Sequence, residues 1–287
     1  IWTREESILN HHKRHPITVH AKWGADAEGK LLAVHNRVVG DAGAYNYTSN
    51  KVLGNAQLTS TGAYEIPNIH VDTYAVYTNN IPCGAFRGFG AVQAIFAAEG
   101  QMNKLADALG IDPLEIRRRN VFKEGSIQST GTPLPAGVSM DKVLDQCGLE
   151  SYWHENPDNT FSFTPSIQPS DPSKRRGIGF ACGYKNVGYS FGFPENSWAG
   201  IELHGTSKIE EVILNIGGAD VGQGAHTAFV QMAAEAVGVP FETVKIVASD
   251  TAYHQSSGSA SASRLTFMAG NAIRGAAEEA LKAWQSE

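Results

Sequence analysis

The sequence predicts an α+β chain made of two mixed α/β subdomains, and three observations carry that reading. Alternating apolar and polar stretches at 17–23, 31–39, 70–79 and again from residue 197 give way to segments of helical spacing. A polar run with four prolines, "YWHENPDNTFSFTPSIQPSDPSK" (152–174), interrupts the pattern. A chain of 287 residues more naturally forms two cores than one. These place one subdomain at 1–151, a linker at 152–174 and a second subdomain at 175–287.

The elements follow in order. "ITVHAKWGADAEGKLLAVHNRVVGD" gives two strands around the tight turn "DAEGK". The stretch 43–69 is loop-rich, and "HVDTYAVYTN" (70–79) alternates as a strand. Val92, Ile95, Phe96, Met102, Leu105 and Leu109 keep helical spacing, with Gly110 as the cap. "DPLEIRRRNVF" is a short helix with Pro113 near its start, its acid early and its arginines late, as the helix dipole favours. "SMDKVLDQCG" is another, with Ser139 as N-cap. "RRGIGFACGYKN", "SWAGIELHG" and "KIEEVILNIGG" have the pattern of strands. A helix spans Thr227 to Val237 on the apolar positions Val230, Ala233, Ala234 and Val237. "ETVKIVASDT" is a strand, and a long helix starts near Phe267.

Composition narrows the function. The chain is 42% hydrophobic and 18% charged, which is the balance of a folded protein. Its formal charge is -6 and it has no long basic block, so nucleic acid is not the expected partner. The densest basic patch, "HHKRH" (11–15), has the character of solvated surface. Cys83, Cys147 and Cys182 are far apart and build neither a disulfide framework nor a CxxC metal site, so a reducing compartment, the cytoplasm by default, is expected. No apolar run reaches the about 18 residues of a membrane span, and no membrane partner is expected.

Three segments carry chemistry. "PCGAFRGFGAVQ" (82–93) sets glycines and two phenylalanines around one arginine, between a strand and a helix. Phe86, Arg87, Gly88, Phe89 and Gly90 combine backbone amides for an anion, a guanidinium and ring walls for a flat body. Core aromatics in a tight turn fit the motif equally well. "GGADVGQGAHT" (217–227) flanks Gln223, a donor and acceptor, with Gly222 and Gly224. A glycine-rich helix entry is the plain alternative. "SSGSASASR" (256–264) offers five serines and small gaps between a strand and a long helix, where a binding loop is favoured over a linker. Asp220, His226, Asp250 and His254 match no usual metal spacing, so no metal ligand is assigned.

Taken together, these motifs resemble the molybdenum-binding portion of the xanthine dehydrogenase and aldehyde oxidase family of molybdenum hydroxylases. "AFRGFGAVQAIFAAEGQMNKLADALGIDPLEIRRRN" carries most of the likeness, followed by "GGADVGQGAHT", "GSASASRLTFMAGNA" and "TREESILNHHKRHP". The resemblance implies a molybdopterin cofactor with molybdenum, in some members as the cytosine dinucleotide. It implies hydroxylation of a carbon beside a ring nitrogen, or of an aldehyde carbon, with oxygen drawn from water. Electrons would leave to 2Fe-2S and FAD groups on partner chains.

By the same resemblance, Phe86 to Gly90 line the molybdenum pocket and Phe89 packs on the substrate ring. Phe191, in "GYSFGFPE", is the second aromatic of that sandwich. Gly222, Gln223 and Gly224 hold the polar end of the pterin. Ser257, Gly258, Ser259, Ala260, Ser261 and Ser263 contact the rest of the cofactor. The family's purine-oxidising members place an arginine where this chain has Asn55, which brings no charge. Xanthine is therefore a poor fit, and a smaller N-heterocycle such as a pyridine carboxylate a better one. A glycine-rich family segment is expected before Ile1 and the catalytic glutamate after Glu287. The chain alone is thus expected to be inactive without the other part of the molybdenum-binding subunit, an iron–sulfur subunit and an FAD subunit.

Overall fold

The computed structural model describes residues 2–164, 171, 173–188, 194–248, 250–261 and 263–286. The chain divides into two compact units, Ile1–Lys185 and Asn186–Glu287.

In the first unit, the alternating segments form strands β1 (Ile17–Ala25) and β2 (Leu31–Gly43), paired antiparallel. Strand β3 (Asn68–Tyr77) pairs with β2 in parallel. A parallel neighbour cannot be reached by a tight turn, so the connection needs a crossover of a dozen or more residues. That crossover contains helix α2 (Ser49–Leu58), where the sequence predicts only loop. Helix α3 (Ala91–Leu109) ends on Gly110 at φ +65°, as its spacing predicts. Its buried stripe is Ala91, Ala94, Ala98, Met102 and Ala106, while Val92 and Phe96, expected inside, are exposed. Alanines let the helix approach its neighbours closely, and that outweighs the larger side chains in choosing the face.

Short helices α1 (Arg4–Asn10), α4 (Pro113–Asn120) and α5 (Met140–Leu149) complete the helical part of this unit. Ser139 occupies the N-cap position of α5 without a side-chain capping bond. The proline-rich stretch at 152–174 is not linker throughout. Strands β4 (Trp153–Glu155) and β5 (Phe161–Phe163) form a hairpin, and Trp153 and Phe161 are buried in the core with Leu114, Met102 and Tyr64. Aromatic burial there overrides the local polar composition. Residues 175–186 also depart from expectation: they form no strand, yet Phe180, Cys182 and Tyr184 pack into the same core. "HHKRH" is surface only in part, because His15 is 2% exposed and its Nε2 lies 2.8 Å from Ser49 Oγ at the start of α2.

The second unit repeats the chain path of the first. Strands β6 (Ala199–Gly205) and β7 (Ile209–Ile216) pair antiparallel, helix α6 (Ala225–Val237) crosses over, and β8 (Val244–Ala248) pairs with β7 in parallel. Helix α7 (Ser263–Ser286) follows, starting four residues before the expected Phe267. The core is Val212, Leu214 and Ile216 against Phe229, Val230, Ala233 and Ala234 of α6 and Leu265, Ala269 and Ile273 of α7. Among the described residues, no helix is long and apolar enough to cross a membrane.

Candidate functional site

In the first unit, the chain leaves β3 and reaches α3 through 78–90, a loop held at several points. Cys83 N donates to Ala42 O at 3.0 Å, Gly84 N to Lys13 O at 2.9 Å and Ala85 N to Thr48 Oγ1 at 2.8 Å. The tip folds on itself, with Phe89 N donating to Phe86 O at 2.7 Å and Ala91 N to Gly88 O at 2.8 Å. Gly90 has φ +99°, and a Cβ there would stand 2.1 Å from Val52 O of α2. Only glycine allows that approach.

Asn55, on α2, is 5% exposed, and its Nδ2 donates to Gly88 O at 3.2 Å and Phe89 O at 2.9 Å. Its amide nitrogen is committed to the loop, so Asn55 fixes the shape of the Phe86–Gly90 segment. Phe89 is half-buried against Val38, Val52, Leu53 and Ala56, with Lys185 Nζ 5.0 Å from its ring centroid. Burial lowers the Lys185 pKa. Phe86 is 55% exposed and stacks under Arg14, whose Cζ lies 4.6 Å from the ring centroid. Arg87 is exposed and has no hydrogen-bond or ion-pair partner among the described residues. Phe191 lies outside the described residues.

Behind this loop, α3 and α4 are locked by a buried charge pair. Arg117 Nε donates to Glu99 Oε2 at 2.8 Å, and its other nitrogens reach Pro113 O and Asn103 Oδ1. Tyr64 Oη and Cys182 N also donate to the Glu99 carboxylate, at 2.5 and 3.0 Å. Burial raises the Cys182 thiol pKa to about 12 and pushes the Tyr64 phenol well above its usual range. Arg117 is thus a core residue rather than a surface partner of the helix dipole.

In the second unit, two loops leave the carboxyl ends of neighbouring parallel strands, β7 and β8, and each opens a helix. This is the edge of an α/β sheet at which ligands commonly bind. In 217–224, Gly222 (φ +94°) and Gly224 (φ +81°) are exposed, and a Cβ on either would meet nothing within 4 Å. Gln223 is exposed, with Oε1 accepting from Val221 N at 2.6 Å and Nε2 donating to Ala219 O at 3.1 Å. Asp220 accepts from Gly222 N and His226 N, which lowers its pKa, and His226 Nε2 lies 2.8 Å from Gly218 O. Asp250 and His254 close a turn of their own.

Ser257 ties the two loops together. It is 1% exposed, accepts from Gly217 N at 3.0 Å and donates to Trp198 O at 2.8 Å. Arg264, in the first turn of α7, is 1% exposed. It donates to Ser259 O at 3.0 Å and Asn196 O at 2.5 Å, and pairs with Glu195. Gly258, at φ +72°, leaves room for that guanidinium, since a Cβ would stand 2.5 Å from Arg264 Nη2. Ser259 and Ser263 are exposed, Ser261 is half-buried, and Ala260 packs on the core. Arg264 carries this loop and went unassigned in the sequence. The signal is there: a cation in a helix's first turn opposes the dipole, so another interaction must hold it.

The donor set fits a pterin bearing phosphate. Exposed serine hydroxyls at 259 and 263 and two helix N-termini offer hydrogen-bond donors to anionic oxygens, and Gly222 and Gly224 leave open space beside them. Matches to known proteins agree. Models of the molybdopterin cofactor-binding domain match residues 1–121 and 149–286. A probable xanthine dehydrogenase subunit from Bacillus subtilis (strain 168) is 34% identical over 275 residues, covering 95% of this chain and 35% of its own length. The nicotinate dehydrogenase large molybdopterin subunit of Eubacterium barkeri is 45% identical over 146 residues, 51% of this chain and 34% of that one. The structure of aldehyde oxidoreductase from Desulfovibrio gigas superposes with TM-score 0.71 at 30% identity, covering 95% of this chain and 29% of that one.

Fold and loops together define a molybdopterin-binding chain. It belongs to the xanthine dehydrogenase family, as a molybdenum-binding portion. The chain spans about a third of the length of these relatives.

Proposed function

We propose that this chain forms part of a molybdenum hydroxylase that places a water-derived oxygen on an aromatic N-heterocycle. Electrons would pass to iron–sulfur and FAD partner subunits, in the cytoplasm, and the chain would be inactive without them. One observation carries the cofactor half of this reading. Ser257 and Arg264 fasten two glycine- and serine-rich loops at the carboxyl edge of β7 and β8, where exposed serine hydroxyls and uncrowded glycines lie beside two helix starts. Gly222–Gly224 and the backbone and hydroxyls of 257–261 and Ser263 would hold the polar and phosphate end of the molybdopterin, as such or in its dinucleotide form. The bound group supplies molybdenum, the centre for oxygen transfer and electron acceptance.

In the first unit, Phe89 offers a half-buried ring face to a flat substrate, and Phe86 a more exposed one. Arg87 provides a guanidinium for an anionic group. Asn55 holds the backbone beneath both rings, and it is neutral where the family's purine-oxidising members carry a cation. The substrate class therefore leans to a pyridine carboxylate over xanthine, in keeping with the likeness to the nicotinate dehydrogenase subunit.

The test is reconstitution. The chain would be produced with the rest of its molybdenum subunit and its iron–sulfur and FAD partners, and analysed for molybdenum and pterin by native mass spectrometry. Turnover of nicotinate, xanthine and benzaldehyde would then be followed in 18O-labelled water. Molybdopterin with label in the nicotinate product supports the reading. Label in benzoate alone shifts the chain to the aldehyde-oxidising class. Retained pterin without turnover of any of the three makes it a non-catalytic binding paralogue.

A further inference from the structure

The geometry points to a second metal site, for zinc, on the solvent face of the β1–β2–β3 sheet, built by His35, His70 and Asp72. His35 and His70 are directly paired across the parallel strands β2 and β3, and Asp72 follows His70 by two residues on the same face. One ligand atom from each of the three lies within 4.8 Å of the others, and the two imidazole centroids are 5.0 Å apart. His70 Nε2 is already 3.1 Å from Asp72 Oδ2. Sheet register rather than loop conformation sets these separations, so small side-chain rotations suffice to bring the three atoms onto one ion.

The donor set is two imidazoles and a carboxylate, which suits a borderline divalent ion, and three protein ligands leave a fourth tetrahedral position for water. The ligating imidazole nitrogens must be free of protons to bind the ion, so binding weakens in acid. Both histidines line an open groove with Lys22, Trp23, Pro67 and Asn68. Lys22 pairs with His35 from β1, and Arg37 pairs with Asp72 from β2. These cations oppose the metal and make the site weaker than an enclosed one, although Arg37 is drawn over Tyr74, with Cζ 5.1 Å from the ring centroid. A bound ion would staple β3 to β2 one strand upstream of the Phe86–Gly90 loop.

Chelator-treated full-length chain would be titrated with ZnCl2 by calorimetry and with CoCl2 by visible absorption. His35→Ala, His70→Ala and Asp72→Asn would be compared with a His11→Ala/His12→Ala control, because those two neighbouring rings, the first exposed and the second half-buried, lie 4.1 Å apart and could also take a metal. The expected result is one site per chain, weakened about tenfold or more by each ligand variant and unchanged in the control. Zinc should raise the melting temperature of the unmodified chain and not that of His70→Ala, as expected for an ion that binds only the folded state. His70 is largely exposed, so its removal leaves the core intact. Binding that survives in His35→Ala and His70→Ala, binding lost only in the control, or no binding at all would overturn the assignment.

Discussion

Arg264 shows how much one side chain can hold. Its guanidinium serves Ser259, Asn196 and Glu195 from a nearly fully buried position. Arg264→Met keeps the volume and removes every donor. It should cost the second unit about 3–5 kcal/mol, the usual effect of stranding a buried partner. Thermal melts read that loss, and hydrogen exchange should place it in residues 194–264. Lysine should not restore it, because one ammonium cannot reproduce the planar fork. Protonation matters at the same scale. Burial lowers the pKa of His15, outweighing the opposing pull of Asp41 and the Gly84 backbone. A histidine depressed in the folded state stabilises fully above its ordinary value of 6.5 and loses that contribution as pH falls through the lowered folded value. Unfolding of the first unit should therefore ease as pH falls below 6.5 and level off only beneath the lowered folded value. In His15→Gln that part of the pH dependence should flatten, which denaturant titrations at a series of pH values would show.

At the scale of elements, α2 and α3 meet at one close backbone approach. Gly90 brings the start of α3 against the Val52 carbonyl, so Gly90→Ala meets both a clash and an unfavourable φ. Strained φ costs of order 1–3 kcal/mol, and the displaced helix start adds to it. The expected outcome is a lower melting temperature with faster amide exchange at Phe89 and Ala91, whereas Gly100→Ala, inside α3 with open space around it, should hold or raise the melting temperature.

The sequence makes some of these elements plain and hides others for physical reasons. β2, α4 and α6 are legible because their alternation or helical spacing is carried by residues that do end up inside, whereas β1, β3 and β8 are legible by β-type composition while only partly buried. α2 is hidden: "SNKVLGNAQL" is polar and contains glycine, and only the parallel pairing of β2 with β3 forces a crossover there. The face of α3 is misjudged for a related reason, since small residues win where backbones pack closely. Of the loops, the glycines and serines stand out by composition. The work of Asn55, Ser257 and Arg264 does not, because it lies in partners distant along the chain.

At the scale of the molecule, the two units have separate cores, and the boundary between them follows packing rather than composition. A break at residue 151 would fall where polar, proline-rich sequence begins. It would also remove Trp153, Phe161, Phe180 and Cys182 from the first core and take one donor from Glu99. A chain ending at Lys185 should melt cooperatively, and one ending at Ser151 should lose much of that transition, as followed by circular dichroism. Equal melting of the two truncations would show that residues 152–185 add nothing to the first unit.

The path β–β–helix–β–helix occurs twice, once in each unit, and in both the loop that leaves the third strand is one of the candidate binding segments. In terms of division of labour, this separates what the halves share from what differs between them. The backbone route is common to the two halves, while the contents of the exit loop have parted company: rings and a guanidinium in one, hydroxyls in the other. A scaffold used in duplicate can carry different contents in its two exit loops, so two kinds of surface chemistry can stand on the same frame in a single polypeptide.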